Sequence, residues 1–160
     1  MNKLIVSFFF IGFLPLAPGT FGSLAGILLG LILQSIGGFP LLILSILLIF
    51  MVGWHCTIDY ISTQGKSHDP KEIVIDEVVG QLVSYTPISL YIWVYESGSL
   101  YATFYDWLIA FILFRLFDII KPWPVSLADK MQSALGVMLD DIIAGFFTAV
   151  LICAIIFLFN

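Results

Sequence analysis

Leu139–Phe159 reads LDDIIAGFFTAVLICAIIFLF. Two adjacent carboxylates open it, and no charged residue follows through Phe159. An uncharged, mostly apolar run of about 20 residues has the length of a membrane-crossing helix. Toward the N-terminus, similar runs occur at about 22–36, 41–57, 77–95 and 102–120, with 141–159 as the fifth. Gly37-Gly38-Phe39-Pro40 reads as a turn between the first two runs, and Glu96-Ser97-Gly98-Ser99 as a polar turn. Lys121-Pro122-Trp123-Pro124 ends the fourth, because two prolines cannot continue a helix. The sequence predicts an all-α polytopic membrane protein. Residues 1–160 form one integral membrane domain with about five transmembrane helices and two polar loops, 58–76 and 121–140, bearing the site.

Composition agrees. The chain is 61% hydrophobic and 11% charged, and its mean hydropathy is +1.10. Soluble domains run nearer 45–50% and about 25%. So few charges cannot cover a soluble enzyme of this size. The 15 Phe, 4 Trp and 6 Tyr exclude a disordered chain. A net charge of −5 and only six Lys and Arg exclude a nucleic-acid binder. Cys56 and Cys153 have neither disulfide nor metal spacing and read as packing residues.

Residues 1–17 are apolar but broken by Gly12 and Pro15, with Pro18 following. They are short for a span and lack a cleavage site, so a re-entrant or interfacial segment is expected rather than a signal peptide. Lys3, Lys66, Lys71, Arg115, Lys121 and Lys130 all fall on one side of this topology. The positive-inside rule makes that side cytoplasmic. Tyr91, Trp93, Tyr95, Tyr101, Tyr105 and Trp107 gather at the other side as an aromatic belt. Gly22, Gly26 and Gly30, four apart, let a helix approach closely, either within the chain or in a homodimer.

The acids concentrate on the cytoplasmic side: Asp59, Asp69, Glu72, Asp76, Glu77, Asp118, Asp129, Asp140 and Asp141. Carboxylates at membrane depth are costly, and clustered ones repel one another. A divalent cation is the simplest compensation. Residues 75–80, Ile-Asp-Glu-Val-Val-Gly, are echoed by 139–144, Leu-Asp-Asp-Ile-Ile-Ala. Each echo is expected where a helix enters the membrane, with a small residue (Gly80, Ala144) one turn below the first acid. Such entries suit a hard cation held by oxygen ligands. A single acid at a helix start would merely complement the helix dipole.

Asp69-Pro70-Lys71-Glu72 has the form of a helix start running into Asp76. Arg115 and Asp118 share a face near Lys121, and Arg and Lys beside an acid cluster suit a phosphate group. Pro18-Gly19-Thr20-Phe21-Gly22-Ser23 opens a helix on the same side and offers backbone N–H groups to an anion. Trp123 reads as an interfacial anchor. His68, beside Asp69, is a candidate proton shuttle. The chain has no Gly-x-Ser-x-Gly elbow and no His-Glu-x-x-His motif.

Four blocks together resemble the phosphatidylglycerophosphatase A family. They are Pro18–Ser23, the stretch from Asp69-Pro70 to Asp76-Glu77-Val78-Val79-Gly80-Gln81, the stretch from Phe114-Arg115 through Asp118 to Lys121-Pro122-Trp123-Pro124, and Gly136–Gly145. They occur in the family's order over nearly the whole chain. The resemblance implies an enzyme of the bacterial inner membrane, its active site facing the cytoplasm. It implies Mg²⁺-dependent removal of the terminal phosphate from phosphatidylglycerophosphate, giving phosphatidylglycerol. Asp69, Asp76, Glu77, Asp118, Asp129, Asp140, Asp141, Arg115 and Lys121 match position by position. One departure is His68 before Asp69-Pro70, where many members have Lys; if that lysine touches phosphate, Lys66 or His68 would have to substitute.

The expected metal ligands are Asp69, Asp76, Glu77, Asp140 and Asp141. Asp76, Glu77, Asp118, Asp140 and Asp141 are the catalytic candidates. Arg115, Lys121, Thr20, Ser23 and Lys66 are the candidates for binding substrate. An activated water, or as second choice an aspartate, attacks phosphorus, and membrane lipids surround the spans. The rival class is an ion carrier or channel with an acidic divalent-cation mouth, but a carrier needs acids near the membrane midplane. A phosphatidyl-transfer enzyme would carry its acids on one helical hairpin, and here they come from separate spans.

Overall fold

The computed structural model describes residues 2–64, 70–95 and 100–159. Lys66, His68, Asp69 and the polar turn at 96–99 lie outside the described residues. The described chain is helical without strands: α1 (Asn2–Val6), a 3₁₀ turn (Ile11–Phe13), α2 (Pro18–Gln64), α3 (Ile75–Tyr95), α4 (Leu100–Ile120), α5 (Val125–Asp129) and α6 (Ala134–Phe159).

Helix α2 is two helices joined at Gly38, whose φ of 60° and ψ of −152° are open to glycine and not to a residue with a β-carbon. A straight helix of that length would span roughly 70 Å at 1.5 Å per residue. Instead Gly22 packs beside Val74 and Gly53 beside Ile75. The two arms therefore fold back on each other. Pro40 falls in the first turn of the second arm, where its missing N–H costs nothing. Gly22, Gly26 and Gly30 face Val74 and Glu77, Val78 and Gln81, and Leu82 and Trp107 in turn. That ridge is filled by α3 and α4 of the same chain.

Among the described residues, the helical stretches Pro18–Thr63, which comprises both arms of α2, and Ala134–Leu158 are long and apolar enough to cross a membrane. Side-chain placement supports a membrane association. Ser23, Thr57, Gln81, Ser84, Ser89 and Thr148 are buried, whereas Leu28, Ile36, Leu47, Phe146 and Phe157 point outward. Apolar exposure on this scale is foreign to a soluble monomer. Pro87 lies inside α3. The Val83 carbonyl it would leave bare accepts a hydrogen bond from Thr86 Oγ1 at 2.8 Å.

Three expectations are corrected. Residues 70–72 form a turn rather than a helix start, with Ile73 N–H donating to the Pro70 carbonyl at 2.9 Å. Val74 N–H then donates to the Val6 carbonyl at 2.9 Å. This tie to the N-terminal segment holds 73–74 outside the helix. Helix α6 begins before the second acid pair rather than at it, because Ser133 caps it: Gly136 N–H donates to Ser133 Oγ at 3.2 Å. Trp107 is not part of an aromatic belt. It is buried and stacked on Tyr85 with ring centroids 3.4 Å apart, whereas Trp93, Tyr95 and Tyr105 are exposed. Of the cysteines, Cys56 is buried in the core and Cys153 is exposed.

Candidate active site

The site sits where α3 crosses α6. A β-carbon on Gly145 would lie 2.3 Å from the Gly80 carbonyl oxygen, and one on Gly80 would lie 2.6 Å from that of Asp141. Only hydrogen fits at both, so the two backbones touch. The small residue below the first acid pair thus admits a partner helix, and its counterpart on α6 is Gly145. Ala144 packs instead with Phe114 and Val125, fixing the end of α4 and helix α5 beside α6. One turn above the crossing, Asp76, Glu77 and Asp141 converge. One carboxylate oxygen from each lies within 4.8 Å of the others. Asp76 Oδ1 accepts the N–H of Glu77, and Asp140 Oδ1 accepts the N–H of Asp141, each at 3.0 Å.

Asp140 has a second engagement. Its Oδ2 accepts a hydrogen bond from Lys121 Nζ at 2.7 Å, and Lys121 also binds Asp129. Lys121 adopts φ 46° just past the end of α4, which turns its side chain back over α6. Burial alone would lower its pKa. The hydrogen bonds it donates to Asp129 and Asp140 outweigh that, and hold it above the ordinary lysine value.

Arg115 forms a 2.6 Å ion pair with Asp118 on α4. Its Nη1 also donates to Ser23 Oγ at 3.4 Å, while Ser23 donates to the Gly19 carbonyl at 2.9 Å. Ser23 is buried behind the cavity and orients Arg115. Gly19 lets the start of α2 close on the acids: a β-carbon there would meet Glu77 Oε1 at 2.2 Å.

These groups open into one cavity of about 660 Å³. Thr20, Arg115, Asp118, Lys121, Asp76, Glu77, Asp140 and Asp141 all line it. Of the residues expected from sequence, the structure gathers these and leaves Asp129 outside as a partner of Lys121. It adds Lys71, Glu72 and part of the N-terminal segment, Gly12–Pro15 with Ala17. Sequence reasoning gave that segment no role in the site, although its Gly and Pro breaks beside the Pro18–Ser23 block were the available signal.

The donor set suits a hard divalent cation, because it is all carboxylate oxygen. Glu77 Oε2 is buried with no hydrogen-bond partner among the described residues, and a bound cation would satisfy it.

The fold and site together define an all-helical protein with two candidate membrane-crossing stretches, and with a carboxylate centre and an arginine at one end of the bundle. Residues 4–156 match the model of the phosphatidylglycerophosphatase A family, and the chain belongs to that family. A phosphatidylglycerophosphatase A of Haemophilus influenzae is 35% identical over 146 residues, covering 90% of this chain and 82% of the relative. A provisionally named phosphatidylinositol-3-phosphatase of Bacteroides thetaiotaomicron is 32% identical, with 88% and 84% covered. A phosphatidylglycerophosphatase A of Escherichia coli is 29% identical, with 86% and 73% covered. No solved structure matches the chain.

Proposed function

We propose that this protein is a Mg²⁺-dependent lipid phosphatase that hydrolyses phosphatidylglycerophosphate to phosphatidylglycerol and phosphate. The observation that carries the reading is the joining of the Asp76, Glu77 and Asp141 carboxylates with Arg115 in one cavity. A phosphomonoester dianion would find only repulsion in the acids alone, and a cation between them reverses that sign.

Asp76, Glu77 and Asp141 would hold the ion, which supplies charge neutralisation and Lewis acidity at the phosphoryl oxygens. Arg115, held by Asp118 and Ser23, is placed to donate to the phosphoryl group as charge builds on it. Lys121 adds positive charge at the edge of the cavity and keeps Asp140 in position. In the hydrolysis, water oxygen joins phosphorus and the phosphorus–oxygen bond to the lipid glycerol breaks. One water proton stays on the released phosphate, and a cavity carboxylate takes the other and returns it to the departing glycerol oxygen, which leaves as the free hydroxyl of phosphatidylglycerol. The arms of α2, with α3, α4 and α6, make five spans in the bacterial inner membrane, with the cavity facing the cytoplasm. A carrier is disfavoured because the cluster lies at one end of the bundle rather than midway along the helices.

The test is phosphate release from phosphatidylglycerophosphate by the purified protein in detergent, with and without Mg²⁺. Asp76→Asn and Asp141→Asn would be assayed beside the parent. Mg²⁺-dependent release that both folded variants lose supports the reading. No release by folded parent overturns the substrate. Because one relative bears the name of a phosphoinositide phosphatase, phosphatidylinositol 3-phosphate belongs in the same assay.

A further inference from the structure

One wall of the cavity is apolar. Phe13, Leu14 and Pro15 line it together with Lys71, Arg115 and the acids. This wall belongs to a segment with an unusual backbone: Phe8, Phe9, Phe10 and Ala17 have φ of 40°, 56°, 68° and 45°. Residues with a β-carbon seldom adopt such angles, and they persist only where surrounding contacts enforce them. The contacts are present. Ser7 Oγ donates to the Lys3 carbonyl at 2.6 Å and accepts the Phe10 N–H at 3.1 Å. Gly12 N–H donates to the Ser7 carbonyl at 3.0 Å. A β-carbon on Gly12 would lie 2.0 Å from the Glu72 carbonyl oxygen, so the segment rests directly on the turn before Asp76.

This clamped conformation presents apolar side chains instead of hiding them. Phe13 and Leu14 line the cavity and are still 40% exposed each, and Leu16, off the cavity wall, is 77% exposed. The Lys3 ammonium lies 4.5 Å from the centre of the Phe13 ring and steadies it. An inorganic or sugar phosphate has nothing to place against such a wall. A phosphomonoester with an attached acyl glycerol matches both halves of the cavity.

We propose that Phe13 and Leu14 form a lip that holds the acyl-glycerol portion of a lipid phosphate, so that the enzyme selects membrane phosphomonoesters over water-soluble ones. The inference rests on the lipid-phosphatase reading and assigns its selectivity to this segment.

The test compares the parent, a Phe13→Ser/Leu14→Ser double variant and Leu16→Ser. kcat/KM would be measured for dioleoyl phosphatidylglycerophosphate in mixed micelles and for water-soluble glycerol phosphate. Retention of a fluorescent-tailed phosphatidic acid by the detergent-solubilised protein gives binding without turnover. The double variant should lower the lipid-to-soluble ratio of kcat/KM roughly tenfold, because the acyl glycerol then has less apolar surface to bury against. Retention should weaken to match. Leu16→Ser should change neither. An unchanged ratio in the double variant overturns the lip, as does an equal fall in Leu16→Ser, which would assign the effect to general membrane contact. Parent protein that retains the lipid through Phe13 and Leu14 but hydrolyses nothing supports the lip and defeats the phosphatase reading.

Discussion

Asp76 and Glu77 lie in the first turn of α3, whereas Asp140 and Asp141 lie more than a turn inside α6. Their sequences echo each other and their settings differ. The first pair sits at a helix N-terminus, where backbone N–H groups and the helix dipole favour negative charge. The second pair has no such support, because Ser133 starts α6 well before it. What compensates there is Lys121, which reaches across to Asp140. The helix dipole therefore does not decide where these acids stand. The decisive feature is the Gly80–Gly145 crossing, which fixes the distance between the pairs whatever the register of each helix start.

Substitutions put this contrast between the pairs at risk. The largest effect is expected for Asp141→Asn and Asp76→Asn, one from each pair. Each should lower phosphate release by more than about 100-fold, since even outer groups around a metal are worth 10–100-fold. Isothermal titration with Mg²⁺ should show the same loss of affinity in both. If only one variant weakens Mg²⁺ binding, the pairs do not share an ion.

Gly145→Val strikes the crossing and no carboxylate. It should destabilise the detergent-solubilised protein by about 1–3 kcal/mol, the usual cost of forcing atoms into a packed contact. Activity should fall even in the fraction that remains folded, because the pairs are pushed apart. Thermal unfolding alongside the activity assay separates the two effects.

Asp140→Asn and Lys121→Gln probe the compensation peculiar to the second pair. Each should cost roughly tenfold in activity, within the range for groups that orient a metal centre. Neither should abolish Mg²⁺ binding. Lys121 has a raised pKa, so its contribution is complete below the ordinary lysine value of about 10.4 and fades only as pH rises beyond it. The titration of Lys121 itself should therefore contribute no step to a pH–rate profile between about 6 and 9. The smallest effect is expected for Ser133→Ala. It removes the cap of a helix start that carries no site residue, costing about 1 kcal/mol of stability. Phosphate release should change less than twofold.

Much of this molecule is local and was legible in the sequence. Apolar runs become helices because a helix satisfies its backbone N–H and C=O groups within its own segment, wherever water is kept away. Gly38 and the prolines after Lys121 mark breaks through the backbone angles they permit or forbid. The family resemblance and the candidate acids came from the same linear reading. Three things were missed: two depend on distant contacts, and the third, the Ser133 cap, is a local contact three residues long beside the more conspicuous acid pair. The tie from Val74 to Val6 cancels the helix start that Asp69–Glu72 spell out. Ser133 moves the start of α6 away from the acids. The backbone approach of Gly80 and Gly145 selects which carboxylates meet, and the glycine spacing of each helix taken alone says nothing about its partner. Which segments are helical and which residues carry charge could be read along the chain, because those follow from short-range sterics and transfer from water. Which charges share a cavity, and that Phe13, Leu14 and Pro15 line it, emerged only in the folded chain, because those depend on how segments far apart in sequence pack.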